Sequence, residues 1–253
     1  YSIMSYKQMT GNIISATKVE PAGKVTNSAA SGVWNLQDQY DYRRGNNWPS
    51  TDNAATRGLF WGGQTSGYID VIEYIAVATT GNVTDFGNLT SARGYAFQGQ
   101  TASSTRGIFA GGYESSSVDT IEYVTIANTG NATDFGNLTA ARIYTGSCSS
   151  NTRGINAGGG GNSIVNIIDY ITIASAGNST DFGDLSGARQ NANGISSPTR
   201  GVFGAGINSS NAKVNIIEYI TIANTGNTTD FGDLSASKAF GGSSSNGHGG
   251  IAA

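Results

Sequence analysis

Thr105-Arg-Gly-Ile-Phe-Ala-Gly-Gly112, Val118-Asp-Thr-Ile-Glu-Tyr-Val-Thr-Ile126 and Thr133-Asp-Phe-Gly-Asn-Leu138 are three short runs divided by turn formers, and their key letters return along the chain. Thr-Arg-Gly begins at Thr56, Thr105, Thr152 and Thr199. An Ile-acid-Tyr triplet ends at Tyr74, Tyr123, Tyr170 and Tyr219, and Thr-Asp-Phe-Gly begins at Thr84, Thr133, Thr180 and Thr229. The spacings run from 47 to 49 residues. A fixed period of this size is the sequence signature of a repeat architecture.

One unit, 105–151, divides into four segments. Arg106–Gly112 reads as a strand ending in a diglycine, and Val118–Ile126 as an alternating strand rich in β-branched residues. Asn128-Thr-Gly-Asn131 is a tight turn, Thr133–Leu138 a short third strand, and Ile143–Cys148 a fourth. No 3.6-residue period survives in the units, which excludes helical repeats of similar length. Four strands in about 48 residues is the size of a propeller blade.

Composition agrees. The 253 residues include 37 Gly and 3 Pro, and only 12% are charged, which suits short strands joined by many turns. A net charge of −3 with no basic stripe excludes a nucleic-acid surface. No run reaches the roughly 18 apolar residues that a membrane helix needs, so no membrane partner is expected. Cys148 is the single cysteine, with a small buried apolar role expected and no disulfide possible within the chain.

The unit resembles the kelch repeat. Gly62-Gly63, Gly111-Gly112 and Gly158-Gly159 match the kelch diglycine, with Ala205-Gly206 in the fourth copy; Phe86, Phe135, Phe182 and Phe231 stand where kelch units usually carry Trp. The resemblance implies an all-β fold: a kelch-like β-propeller of four four-stranded blades over residues 56–253. In kelch blades the innermost strand precedes the diglycine strand, yet none is evident ahead of Thr56. Lys238-Ala-Phe-Gly-Gly-Ser-Ser244 occupies the register of Arg93, Arg142 and Arg189 with nothing further to join. The expectation is that this C-terminal strand pairs with the first blade and closes the ring, removing open edges; the competing arrangement is an open arc completed by another chain.

Residues 1–55 stand outside the repeat. Asn35 caps a short helix expected over 36–44, which ends at Gly45 with Arg43 and Arg44 in its last turn. Residues 32–40, Gly-Val-Trp-Asn-Leu-Gln-Asp-Gln-Tyr, and Asn46-Asn-Trp-Pro49 resemble a segment of bacteriophage structural proteins that lies ahead of repeat domains. That resemblance implies an attachment segment, with Trp34, Tyr40 and Trp48 as its anchors and other virion proteins as its partners.

The recurring chemistry has bland readings. Arg57, Arg106, Arg153 and Arg200 are expected to face Glu73, Glu122, Asp169 and Glu218 across a hairpin as ion pairs. Asp85, Asp134, Asp181 and Asp230 share three letters with a kinase magnesium motif but lack its glycine loop and catalytic loop, so turn capping beside a Gly of positive φ is expected. His248 is the only histidine, which leaves no zinc set, no hydrolase elbow and no copper set of the galactose oxidase sort. Gly158–Gly161 lacks the Lys-Ser/Thr of a phosphate loop. Asn82-Val-Thr84 and Asn131-Ala-Thr133 match glycosylation acceptors but recur as part of the turn.

No catalytic, metal or cofactor residues are therefore assigned. Binding falls to the loops that vary between units: Gln64 and Tyr68, Tyr113 and Glu114, Asn162, and Asn208 and Lys213. Tyr68 and Tyr113 are suited to stacking on a sugar ring. The expected function is a non-enzymatic bacteriophage virion protein on the particle surface: a tail fibre, appendage or capsid component, homo-oligomeric, meeting a host glycan or receptor. The alternative is a secreted or cell-surface bacterial carbohydrate-binding or adhesion module.

Overall fold

The computed structural model describes residues 57–95 and 100–245. The helix expected over 36–44, the anchors Trp34, Tyr40 and Trp48, and His248 lie outside the described residues. Those described form antiparallel sheets and no helix. The first sheet holds β1 (Arg57–Trp61), β2 (Val71–Ala76) and β3 (Thr84–Asn88). The second is β4 (Gln100–Ala102), β5 (Arg106–Ala110), β6 (Thr120–Thr125) and β7 (Thr133–Asn137). The third is β8 (Gly146–Ser149), β9 (Arg153–Ala157), β10 (Ile167–Thr172) and β11 (Thr180–Asp184). β12 (Arg189–Gln190) leads to β13 (Asn193–Ser196) and β14 (Arg200–Gly204). β15 (Ile207–Asn208) pairs with β12, while β16 (Val214–Thr221) and β17 (Thr229–Lys238) complete the fourth sheet, ordered β13-β14-β16-β17.

The segment 143–148 therefore serves the following unit: β8 pairs with β9, Ser149 opposite Gly154, and not with the strands before it. Strands in this leading position lie against one another from unit to unit. Ser147 and Ser149 of β8 donate their hydroxyls to the carbonyls of Gln100 and Ala102 in β4, at 2.9 and 3.1 Å. Ser243 and Ser245 donate to Gly194 and Ser196 in the same way, at 3.0 and 2.7 Å. Residues 243–245 thus lie in the position of a leading strand without pairing as one, and β1, whose edge they were expected to join, is a sheet edge among the described residues.

Thr-Asp-Phe-Gly forms a β-bulge, and in the fourth copy the expected cap is present beside it, Asp230 accepting from Gly232 N at 3.2 Å. In every unit two strand residues are opposed by three: Ile121 faces Gly136 and Glu122 faces Asp134, leaving Phe135 as the extra residue. The same shift frees Phe86, Phe182 and Phe231. The glycine after each Phe has φ between 135 and 148°, open to Gly alone, which is why this letter recurs. The bulged Phe meets the unit's Tyr edge to face, 5.8 Å between Phe135 and Tyr123, and the Thr-Arg-Gly arginine lies over the same Tyr ring, Arg106 at 4.5 Å. Arg57, Arg153 and Arg200 repeat this stack on Tyr74, Tyr170 and Tyr219.

The expected cross-strand ion pairs are corrected by the register. Arg57 lies opposite Ala76, and Glu73 opposite Phe60. The acid is instead buried against an arginine of the preceding unit: Glu122 with Arg93, Asp169 with Arg142, Glu218 with Arg189. A second set of bonds crosses the same junctions. The turn before each Thr-Asp-Phe-Gly runs along the preceding unit's bulged strand, with Gly130 N to Phe86 O at 2.7 Å and Ala132 N to Asn88 O at 2.8 Å. The Asn131 side chain accepts from Asn88 N at 3.0 Å, so the Asn-x-Thr asparagine is a junction residue. Apolar cores straddle the junctions too, Phe86 and Leu89 of the first unit packing with Phe109 and Val124 of the second. Cys148 is buried at the third junction, its thiol pushed up by loss of solvent.

Candidate functional site

The residues after each diglycine form the loop that joins the Thr-Arg-Gly strand to the strand carrying the Ile-acid-Tyr triplet. These loops lean on the connector of the preceding unit through pairs such as Gly94 with Tyr113 and Ile143 with Gly160. The connector residue beside each pair has left-handed backbone, Tyr95, Tyr144 and Asn191, as does Phe240 at the equivalent place after the fourth unit, all with φ between 55 and 58°. Such a φ costs a non-glycine residue about 1–2 kcal/mol, and tertiary bonds hold it in place. Tyr144 N donates to Tyr95 O at 3.3 Å and Asn191 N to Tyr144 O at 2.9 Å, linking successive units.

This geometry gathers four tyrosines. Tyr68, from the first loop, lies 5.8 Å from Tyr95 and 5.9 Å from Tyr113, centroid to centroid and edge to face. Tyr95 is 6.0 Å from Tyr113 and 5.7 Å from Tyr144. All four are half-buried. Around them, Tyr95 donates its hydroxyl to the Gln64 side chain at 3.4 Å, and the Ser91 hydroxyl bonds to the Glu114 carboxylate. Gly94 is required beneath, because a methyl there would meet the Tyr68 ring at 2.9 Å.

Desolvation first, then the bond to Tyr95, raises the Tyr68 phenol above its ordinary value, and desolvation followed by Tyr95 raises that of Tyr144. The Tyr68 and Tyr144 phenols thus stay neutral across the physiological range and can both donate and accept. Arg93 lies below, pushed down to about 10 by burial, with Glu114 pulling the other way. Aromatic rims with phenols, one amide and one carboxylate suit a neutral polyhydroxylated ligand: C–H faces against rings, hydroxyls against the polar tips.

Of the sequence-predicted residues, Gln64, Tyr68, Tyr113 and Glu114 are brought into this cluster. Asn162 and Lys213 are exposed in the loops of the third and fourth units, outside the tyrosine contacts. Asn208 spends its side-chain oxygen on its own turn, accepting from Ser210 N at 3.0 Å and Ala212 N at 2.9 Å. Tyr95 and Tyr144 are the residues that sequence reasoning missed. Their signal was positional: each stands two residues after the recurring Arg93 or Arg142. No protein-family model matches this chain, and no curated protein matches it.

Proposed function

We propose that this chain is a non-enzymatic structural protein of a bacteriophage particle, a tail fibre, appendage or capsid-surface component, whose four sheets are kelch-like propeller blades presented for binding to a host surface. Residues 1–55 attach it to other virion proteins, and 242–245 supply the leading strand of a blade that begins at an Arg57 edge. The observation that carries the reading is the tyrosine cluster of Tyr68, Tyr95, Tyr113 and Tyr144: an aromatic rim set on a repeated frame whose buried Arg–acid pairs hold successive units together. Rigid repeats with ligand-facing loops are how such scaffolds recognise surfaces. Mass spectrometry of purified virions checks the location, with peptides of this chain expected among the structural proteins; their absence sinks the virion reading.

The tyrosine cluster equally favours a secreted or cell-surface bacterial glycan-binding module, and the recognition step is tested apart from the location. On a glycan array the chain retains one class of oligosaccharide, and Tyr68→Ala or Tyr113→Ala lowers retention at least tenfold. Unchanged retention in both variants removes the cluster as the site.

A further inference from the structure

The junctions between successive units are made from two unlike faces, and the described residues leave one of each uncovered. At the leading end, Phe60 is 53% exposed, whereas its equivalents Phe109 and Phe203 are buried in the unit before them. Val77 and Val83 are exposed as well, while Ile126, Ile173 and Ile222, which occupy the Val77 position, are buried. The Thr80-Gly81-Asn82 turn is exposed, and Glu73 is only half-buried where Glu122, Asp169 and Glu218 are sealed.

At the trailing end the complementary parts are bare. Phe231 is 55% exposed, against 2% for Phe86, Phe135 and Phe182. A cavity of about 160 Å³ opens among Ile195, Val202, Ile217, Leu234 and Lys238. In the first unit the equivalent space, beside Ile72 and Leu89, is filled by Phe109, with Arg93 over its ring at 5.1 Å. Lys238 stands in the register of Arg93, Arg142 and Arg189, its carbonyl accepting from Gly206 N at 3.0 Å as the Arg189 carbonyl does from Gly159 N at 2.9 Å, yet its side chain is exposed. Arg200 is exposed too, while Arg57, Arg106 and Arg153 donate to carbonyls of the following unit, at 2.9, 2.8 and 2.8 Å.

We infer that the trailing face of one copy takes the leading face of a second copy, and that two copies close head to tail into one ring of eight units. Phe60 enters the 160 Å³ cavity of the other copy, Lys238 reaches Glu73, and Arg200 reaches the Val77 carbonyl. The Asn82 side chain and the Gly81 amide take the bulged strand at Phe231 and Asp233. Residues 242–245 add the missing fourth strand to the partner's β1, with Ser245 opposite Gly58 as Ser196 lies opposite Gly201.

Among the described residues both faces are exposed at once, so the first unit does not cover the fourth. A contact between unlike faces is heterologous and either closes a ring or propagates. Two copies give eight units, within the range of about four to eight over which propellers close. The inference stands independently of the virion reading, because it rests only on residues 57–245.

The test is the mass of the full 253-residue chain by light scattering after size exclusion. Two chains per particle are expected. Phe60→Asp, at an exposed position that the isolated fold does not need, raises the dissociation constant about thirtyfold or more, as loss of a central aromatic anchor does. Glu73→Lys and Lys238→Glu each weaken the dimer, and the double swap Glu73→Lys with Lys238→Glu restores it. A wild-type mass of one chain overturns the inference, as do an open-ended ladder and a dimer that all three single variants leave unchanged, the last placing assembly elsewhere in the chain.

Discussion

Phe182 in the third unit is 2% exposed and Phe231 in the fourth is 55% exposed, yet the two sit in the same local structure. Arg153 lies 4.6 Å from Tyr170, whose ring is 5.9 Å from Phe182; Arg200 lies 4.3 Å from Tyr219, whose ring is 6.0 Å from Phe231. The within-unit stack thus forms whether or not a neighbour follows. What the neighbour adds is burial: Ile220 and Ile222 of the fourth unit close over Phe182 and Leu185 of the third. The difference teaches that one unit has no core of its own and that the cores are its boundaries, the energetic pattern of a one-dimensional array.

Breaking a sealed junction therefore costs far more than the same change at the bare face. The following measurements use the Phe60→Asp background, in which no second copy covers that face. Arg142→Ala leaves Asp169 buried without its counter-charge and is expected to lower unfolding stability by about 3–5 kcal/mol. Lys238→Ala, at the equivalent exposed position, is expected to stay within about 0.5 kcal/mol. Urea midpoints at constant m-value decide it. Equal losses would show that the recurrent basic residue acts within its own unit. Replacing Arg142 by Met together with Asp169 by Leu recovers most of the loss, because desolvating the pair nearly cancels its attraction.

The repeat, its strands and its turns were legible because each is a local pattern: β-branched alternation, diglycine, Asn-Thr-Gly-Asn. What was not legible is whatever depends on pairing offset. Arg57 and Glu73 were expected to meet, but the loop geometry of 64–68 sets the β1–β2 register and places Phe60 opposite the acid. The acid's true partner, as in Arg93 with Glu122, lies in the preceding unit, a contact that a reading of one unit at a time cannot reach. The tyrosine cluster was half legible. Tyr68 and Tyr113 fell in variable loops, but Tyr95 and Tyr144 depend on a left-handed backbone at non-glycine residues, which no letter announces.

An apolar truncation sharpens the same contrast. Phe182→Ala empties a sealed core shared with Leu185, Phe203 and Ile220 and is expected to cost about 3–5 kcal/mol. Phe231→Ala forfeits chiefly its edge-to-face contact with Tyr219, about 1 kcal/mol. Thermal unfolding of the two variants side by side checks this. A Phe231→Ala loss as large as that of Phe182→Ala would mean that the Tyr–Phe stack, and not the junction, is the stabilising element.

The smallest contrast separates backbone strain from close approach. Gly136 and Gly232 have the same bulge and nearly the same φ, 143 and 135°, so a methyl strains both alike. At Gly136 that methyl would also overlap the Gly177 carbonyl of the next unit, whereas at Gly232 nothing lies within 4 Å. Gly232→Ala therefore reads the strain alone, and Gly136→Ala the strain plus the displaced turn. Displacing the turn lengthens the Gly177 N to Phe135 O bond, now 2.6 Å, and disturbs the Asn178 cap on Asn137. The expected excess is about 1–3 kcal/mol, the usual cost of forcing atoms into a filled space. Amide exchange locates it: the excess belongs at Gly177 and Ser179, one unit downstream of the substitution. Equal losses at the two glycines, with exchange raised only inside 133–137, would show that the bulge serves its own sheet and not the junction.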